Sequence, residues 1–279
     1  MSNRYFQLMR LDKPIGVLLL LWPTLWALWL AYEGCPPMHV LIVFVLGTIF
    51  MRSAGCIIND IADRHIDGKV KRTINRPLVT GAVSLTQAIF LFIILLSLSA
   101  SLLFFLDVSL FFWALIGALF AIVYPFCKRF LATPQLILGF AFSWGIPLAF
   151  LNAKQLIHTD VLLLMLINGL WIICYDTYYA MIDKDDDLLI GVKSTAIFFG
   201  KWDRVIIIFL QTIIAALWLS IAYSYSLTHI FYLFYVCAQL LFVYQAWLAK
   251  QKTRSHYFKA FLNNHWYGII MFLGIVAGQ

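Results

Sequence analysis

Long apolar runs separated by short charged loops set the pattern of this chain. Runs of spanning length fall near 14–33, 38–59, 84–106, 108–126, 132–151, 160–182, 203–224, 228–249 and 262–278. Each is close to the roughly 20 residues that a helix needs to cross a hydrocarbon core about 30 Å thick. Nothing alternates with the period of two that a strand requires, and only helices and closed barrels satisfy their backbones in lipid. The pattern predicts an all-α integral membrane protein, a bundle of nine transmembrane helices forming one polytopic domain over residues 1–279. The N-terminal stretch RYFQLMRLDKPIG lacks a signal-peptide pattern, so the first run is expected to stay as a transmembrane helix.

Composition supports a bilayer setting. The chain is 63% hydrophobic and only 12% charged, with a mean hydropathy of +0.90. Soluble domains carry about a quarter charged residues. The net charge of +7 does not point to nucleic acid, because the bases sit in short loops. Eighteen of the twenty Lys and Arg fall on one side of the nine-span topology, leaving Lys154 opposite and Arg52 inside a span. The positive-inside rule then puts the N-terminus and the acidic loops in the cytoplasm, as in a bacterial inner membrane. Five scattered cysteines, Cys35, Cys56, Cys127, Cys174 and Cys237, form no CxxC pair and read as small packing residues. No feature calls for an obligate protein partner.

Two charged clusters break this apolar background. The first, Asn59 to Arg76, reads NDIADRHIDGKVKRTINR; the second, Asp176 to Lys193, reads DTYYAMIDKDDDLLIGVK. Asn59, Asp63 and Asp67 are spaced i, i+4, i+8, which on one helix gives a stripe of oxygen ligands about 12 Å long. Asp183 and Asp187 repeat the i, i+4 spacing. Carboxylates without cysteine or paired histidine favour a hard cation, and magnesium binds through a few carboxylates together with substrate phosphates. Arg72, Lys193, Lys128 and Arg10 are placed to balance the remaining phosphate charge, or serve only as topogenic bases. The clusters are expected to face each other at the mouth of the bundle. A weak internal repeat relates them, since each ends an apolar helix and is followed by bases and a threonine.

Two charges lie deeper. Arg52 is seven residues before Asn59 and Asp176 seven before Asp183, so each shares a helix face with its cluster about 10 Å further in. Such charges face a cavity or one another. Either they form a structural ion pair, or Arg52 holds the anionic group of a phenolic acceptor while Asp176 orients or deprotonates its hydroxyl. Tyr124 and Tyr179 are candidates to line the cavity, His65 is expected to be solvated, and Pro14, Pro125 and Pro147 to start or kink helices.

NDIADRHID and DTYYAMIDKDDD fit the NDxxDxxxD and DxxYAxxDxxxD motifs of the UbiA superfamily of intramembrane aromatic prenyltransferases. The matching positions are Asn59, Asp63 and Asp67, then Asp176, Tyr179, Ala180, Asp183 and Asp187. The flanking stretches RLDKPIGVLLLLWPTLWALW and GVKSTAI are similar to the ubiquinone-pathway members, and the similarity runs from about residue 10 to FKAFLNN. The resemblance implies a central cavity capped by the two acidic loops and opening sideways to lipid. It implies transfer of a polyprenyl group from polyprenyl diphosphate, with Mg2+, to the ring of 4-hydroxybenzoate, ortho to the hydroxyl. Naphthoate, homogentisate and a porphyrin side chain are the other acceptors to weigh. A cation-coupled transporter is the alternative from another class, although carriers usually place their ion ligands near the midplane.

Overall fold

The computed structural model describes residues 4–69, 72–127, 131, 133–191 and 193–279. Among these residues the chain is helical throughout, with no strand, and nine segments are long and apolar enough to cross a membrane. The protein is multi-pass. A short α1 (Arg4–Leu8) precedes α2 (Ile15–Tyr32) and α3 (Met38–Asp63). After a charged loop come α4 (Leu85–Leu102) and α5 (Leu110–Cys127), then α6 (Gln135–Ser143) and α7 (Gly145–Asn152), which share one span. The long α8 (Thr159–Ile190) is followed by α9 (Thr195–Phe199), α10 (Asp203–Ser224), α11 (His229–Lys250) and α12 (Arg254–Gly278).

Local chemistry accounts for several boundaries. Ser84 caps α4 by accepting from Gln87 N at 3.2 Å, while Gln87 Oε1 accepts from Ser84 N at 3.0 Å. This reciprocal pair satisfies two donors that the first turn would leave orphaned. Gly191, at φ 72, ends α8 in the left-handed conformation that glycine adopts without strain. Pro14 stands directly before α2, Pro147 sits in the first turn of α7 and Pro125 inside α5. The run at 132–151 is therefore two helices that break at Trp144, not one. The run expected at 160–182 continues to Ile190, which carries the whole second cluster on helix.

Within the bilayer little hydrophobic force separates helix from lipid, so small residues and buried hydrogen bonds hold such bundles together. Both are visible here. A Cβ at Gly268 on α12 would lie 2.3 Å from Trp22 Cδ1 on α2, and Trp26 Nε1 donates to the Gly268 carbonyl at 3.0 Å. Trp171 Nε1 donates to Asn264 Oδ1 at 2.8 Å. Trp26, Trp171, Trp218 and Tyr267 are fully buried, with ring centroids 5.2 to 5.5 Å apart between neighbours. The core thus lies among α2, α8, α10 and α12. Inside the bundle, 56% of α2 and of α8 is buried against 11% of the α4 span, which makes α4 a peripheral, lipid-facing wall.

Candidate active site

The two acidic clusters meet. Arg72, in the loop after α3, places Nη2 2.6 Å and Nε 2.8 Å from Asp183 Oδ2 on α8. Its Nη1 donates to the Tyr179 hydroxyl at 2.5 Å, and the guanidinium lies 4.5 Å from the centroid of that ring. One side chain therefore ties the first cluster to the second across the mouth of a single large cavity.

The first cluster differs from a continuous helical stripe. Asn59, Asp60 and Asp63 occupy the last turns of α3, but the helix stops at Asp63. Ile66 N donates back to the Asp63 carbonyl at 2.8 Å, and Asp67 begins a separate 3-10 turn, Asp67–Lys69. The loop then fixes Asp67 from outside: Thr73 Oγ1 donates to its carbonyl at 2.7 Å and Arg76 Nη1 to its carboxylate at 2.5 Å. The i+8 position is reached by tertiary contacts, so helical register alone misplaces Asp67. In the second cluster the i, i+4 spacing of Asp183 and Asp187 holds, since both lie on α8. Asp185 and Asp186 face away and pair with Arg254 at 3.4 and 3.3 Å.

Asn59, Asp63, Asp67, Asp183 and Asp187 all line the same cavity, as do Arg10, Arg72, Lys193 and Tyr124. Lys128 lies outside the described residues. His65 is exposed, as expected. Arg10 is engaged with protein, its Nη2 lying 3.0 and 3.1 Å from the two oxygens of Asp60. Asp60 is buried and also accepts Arg76 at 3.0 Å, so Arg76 joins Asp60 to Asp67. Asp60 and Arg76 belong to the first charged stretch, yet sequence spacing singles out neither. Burial pushes the Asp67 carboxyl above the usual carboxylate range, with Arg76 opposing the shift and Asp63 and Asp60 adding to it. A crowd of carboxylates repels itself and is relieved by cations, a role that Arg72 and Arg76 fill in this structure. The oxygen-only donor set suits a hard divalent ion, but among the described residues no three carboxylates converge on one point, so holding the ion would require Asp67 and Asp183 to exchange their arginines for it.

Behind the mouth, the cavity encloses about 1570 Å³, more than a drug-sized ligand fills, with walls from α2 to α6 and α8. Leu96, Leu103, Leu110 and Leu115 represent its apolar side. Arg52 and Asp176 both line it, but among the described residues no ion pair joins Arg52 to Asp176 or to any other carboxylate. The Arg52 Nε is buried without a hydrogen-bond partner, and the guanidinium carbon lies 5.5 Å from the Phe142 ring centroid. Tyr175, also lining the cavity, has a buried hydroxyl in the same condition. Two unsatisfied polar groups in an apolar chamber carry a desolvation cost that a polar ligand would relieve.

Arg52 is held in place by absence of bulk. A Cβ at Gly16 on α2 would lie 2.6 Å from its Nη2 and 2.7 Å from its Nε. Gly16→Ala is expected to displace the guanidinium and, in the sequence-based expectation that Arg52 holds an acceptor's anionic group, to raise the acceptor KM on the order of tenfold with a smaller change in kcat. Steady-state kinetics with the acceptor varied reads this directly. Asp176 is positioned by a residue that sequence reasoning missed. Gln135 Nε2, at the start of α6, donates to Asp176 Oδ2 at 3.1 Å, and Gln135 Oε1 accepts from Thr195 N at 3.3 Å. A buried glutamine after a proline in an apolar run was the available signal. Gln135→Leu keeps the volume and removes both bonds, and is expected to lower kcat about tenfold with acceptor KM less affected.

A membrane bundle with an acid- and base-lined mouth over a long apolar chamber defines an intramembrane site for an amphiphilic phosphate-bearing ligand. Comparison with known proteins gives the family. Residues 20–274 match the model of the UbiA prenyltransferase family. A 4-hydroxybenzoate octaprenyltransferase of Legionella pneumophila (strain Paris) is 52% identical over 273 residues, 98% of this chain and 97% of that protein. The fold matches the apo structure of a UbiA homolog from Aeropyrum pernix with a TM-score of 0.81, at 24% identity, covering 93% of this chain and 96% of the other. It also matches a UbiA homolog from Archaeoglobus fulgidus bound to GPP and Mg2+, with a TM-score of 0.70 at 19% identity, covering 99% and 98%. The chain belongs to the UbiA prenyltransferase family.

Proposed function

We propose that this chain transfers a polyprenyl group from polyprenyl diphosphate to 4-hydroxybenzoate in ubiquinone biosynthesis, forming the new carbon–carbon bond ortho to the hydroxyl. The observation that carries this reading is the cavity itself. Its mouth joins two acidic clusters through Arg72, its wall is apolar enough for an isoprenoid tail, and its interior holds Arg52 without a carboxylate partner. The half-identical relative from Legionella pneumophila supports the acceptor.

In this reading Asn59, Asp63, Asp67, Asp183 and Asp187 would hold Mg2+, whose positive charge would offset that of the diphosphate leaving group. Arg72, Lys193 and Tyr124 contact the diphosphate directly. Arg10 acts through Asp60 and the Arg76 bridge to hold the first cluster in shape, unless substrate draws it from Asp60. The allylic C–O bond breaks and the diphosphate departs with the bonding electrons. Aromatic side chains lining the cavity stabilise the positive charge left on the prenyl carbon. Arg52 binds the acceptor carboxylate, Asp176 orients or deprotonates its hydroxyl, and the ring carbon attacks and then loses its proton. The apolar side chains that wall the cavity exclude the water that would otherwise capture the allylic cation. We place the protein in a bacterial inner membrane as one polytopic domain over residues 1–279, with the mouth in the cytoplasm, from the distribution of Lys and Arg.

Membranes containing the protein, supplied with labelled 4-hydroxybenzoate and a short prenyl diphosphate, test this reading. A lipid-soluble product that forms with Mg2+ and disappears with chelator is the expected result. Product from naphthoate or homogentisate in place of 4-hydroxybenzoate would refute the acceptor. Cation-coupled uptake with no product from any acceptor would refute the enzyme.

A further inference from the structure

A second, smaller cavity lies apart from the first and shares no lining residue with it. It encloses about 310 Å³ between α10 and α11, bounded by Lys201, Arg204, Val205, Ile208, Ala246 and Lys250. Its position is fixed by the ion pair of Lys184, the neighbour of Asp183, with Asp203 at 3.1 Å. The cleft therefore stands at the same end of the bundle as the second acidic cluster, on the outer side of α10.

The order of residues along both helices is what gives the cleft its chemistry. On α10, Arg204 stands at the helix start and Ile208 one turn further in. On α11, Lys250 closes the helix and Ala246 lies one turn further in. Three cationic groups thus ring the top, with Val205 next to Arg204 and the walls formed by Ile208 and Ala246 about 6 Å further in. Ala246 is the smallest of these side chains and leaves room between the helices. Val205 and Ile208 are exposed, as are Tyr244 and Trp247 beside them on α11, so the lower half opens to lipid. Trp202 is also exposed and lies 5.6 Å from the Lys201 ammonium, where an aromatic ring suits the membrane interface.

The charge is not balanced by protein. Among the described residues, Lys201 and Lys250 have no carboxylate partner, and Arg204 shares Asp203 at 3.8 Å with the closer Lys184. A free anion would use the charged rim but would leave the apolar lower half empty. A ligand with an anionic head and an apolar tail matches both levels, and the bilayer around the cleft supplies one in its anionic phospholipids. We infer that this cleft is a binding site for an anionic phospholipid, seating the headgroup phosphate on Lys201, Arg204 and Lys250 and an acyl chain along Val205, Ile208 and Ala246. Basic pockets between membrane helices bind such headgroups by this combination.

Native mass spectrometry of the full chain released from detergent with phosphatidylglycerol, cardiolipin or phosphatidylcholine tests the inference. The parent protein is expected to retain the anionic lipids over phosphatidylcholine. Lys201→Gln together with Lys250→Gln should weaken that retention about tenfold or more. Ala246→Phe fills the apolar half with every charge kept, and should weaken it as well. Lys154→Gln, at the opposite end, should change nothing. Thermal unfolding in neutral detergent without added lipid checks that each variant is folded. Equal retention of anionic lipid by the folded double variant or by folded Ala246→Phe would overturn the site. So would displacement of the lipid by excess inorganic phosphate, which would make it a simple anion site.

Discussion

Alanine in place of Asp183 is expected to lower prenyl transfer by at least about 100-fold while the protein remains inserted and folded. Asp183 does two things at once in the structure. It supplies a carboxylate at the centre of the second cluster, and it holds Arg72 at 2.6 Å, which keeps the first cluster's loop over the mouth. Its loss leaves Arg72 without that anchor and removes one oxygen from the set proposed to hold Mg2+. Asp63→Ala should fail to a similar degree, because the diphosphate needs both clusters together. Groups that act as a unit are strongly non-additive, so the double variant should be little worse than either single one. Initial rates per inserted protein, with Mg2+ varied, check this. Two losses that multiply would mean that the clusters act at separate sites.

Leucine in place of Arg52 should have the second large effect, and in two opposite directions. Activity with 4-hydroxybenzoate should fall about 100-fold in kcat/KM, mostly through KM, because the carboxylate loses its only proposed counter-charge. A phenol without the carboxylate should be affected far less. Thermal stability of the unliganded protein should rise, since Arg52 Nε is buried without a hydrogen-bond partner and no carboxylate neutralises the guanidinium. A gain in stability with a loss of activity is the signature of a group kept for its ligand. Were Arg52 a structural cation, the same substitution would destabilise the protein and depress all acceptors alike. Thermal unfolding and acceptor kinetics on the same preparation separate these cases.

The fold was legible wherever the bilayer imposes one solution. Among the described residues, nine segments long and apolar enough to span match the nine apolar runs, because lipid offers the backbone no other partner. That Asp63, Asp183 and Asp187 come together at one cavity was legible for a related reason, since charge in an apolar chain is costly and tends to cluster. What the sequence hid depends on contacts between distant residues. The helix was expected to run through Asp67, yet the turn after Asp63 ends it and Arg76 and Thr73 place that carboxylate. Arg10 read as a phosphate ligand or a topogenic base from its charge alone, and its contact with Asp60 spans fifty positions that no periodicity relates. Gln135 carried no charge to stand out, and its partner Asp176 is as remote in sequence. The break at Trp144 was signalled only by Pro147, and a proline so placed starts, kinks or ends a helix with equal ease.

In the proposed function one diphosphate is held jointly by two acidic clusters through a divalent ion. Equilibrium binding of a non-reactive prenyl thiodiphosphate to the purified protein tests it most directly, with Mg2+ present or chelated and with Asp63→Asn or Asp183→Asn beside the parent. Binding is expected to require Mg2+ and to weaken when the charge is removed from either cluster alone. Binding that persists in chelator, or that one of the two substitutions leaves at full strength, would contradict it.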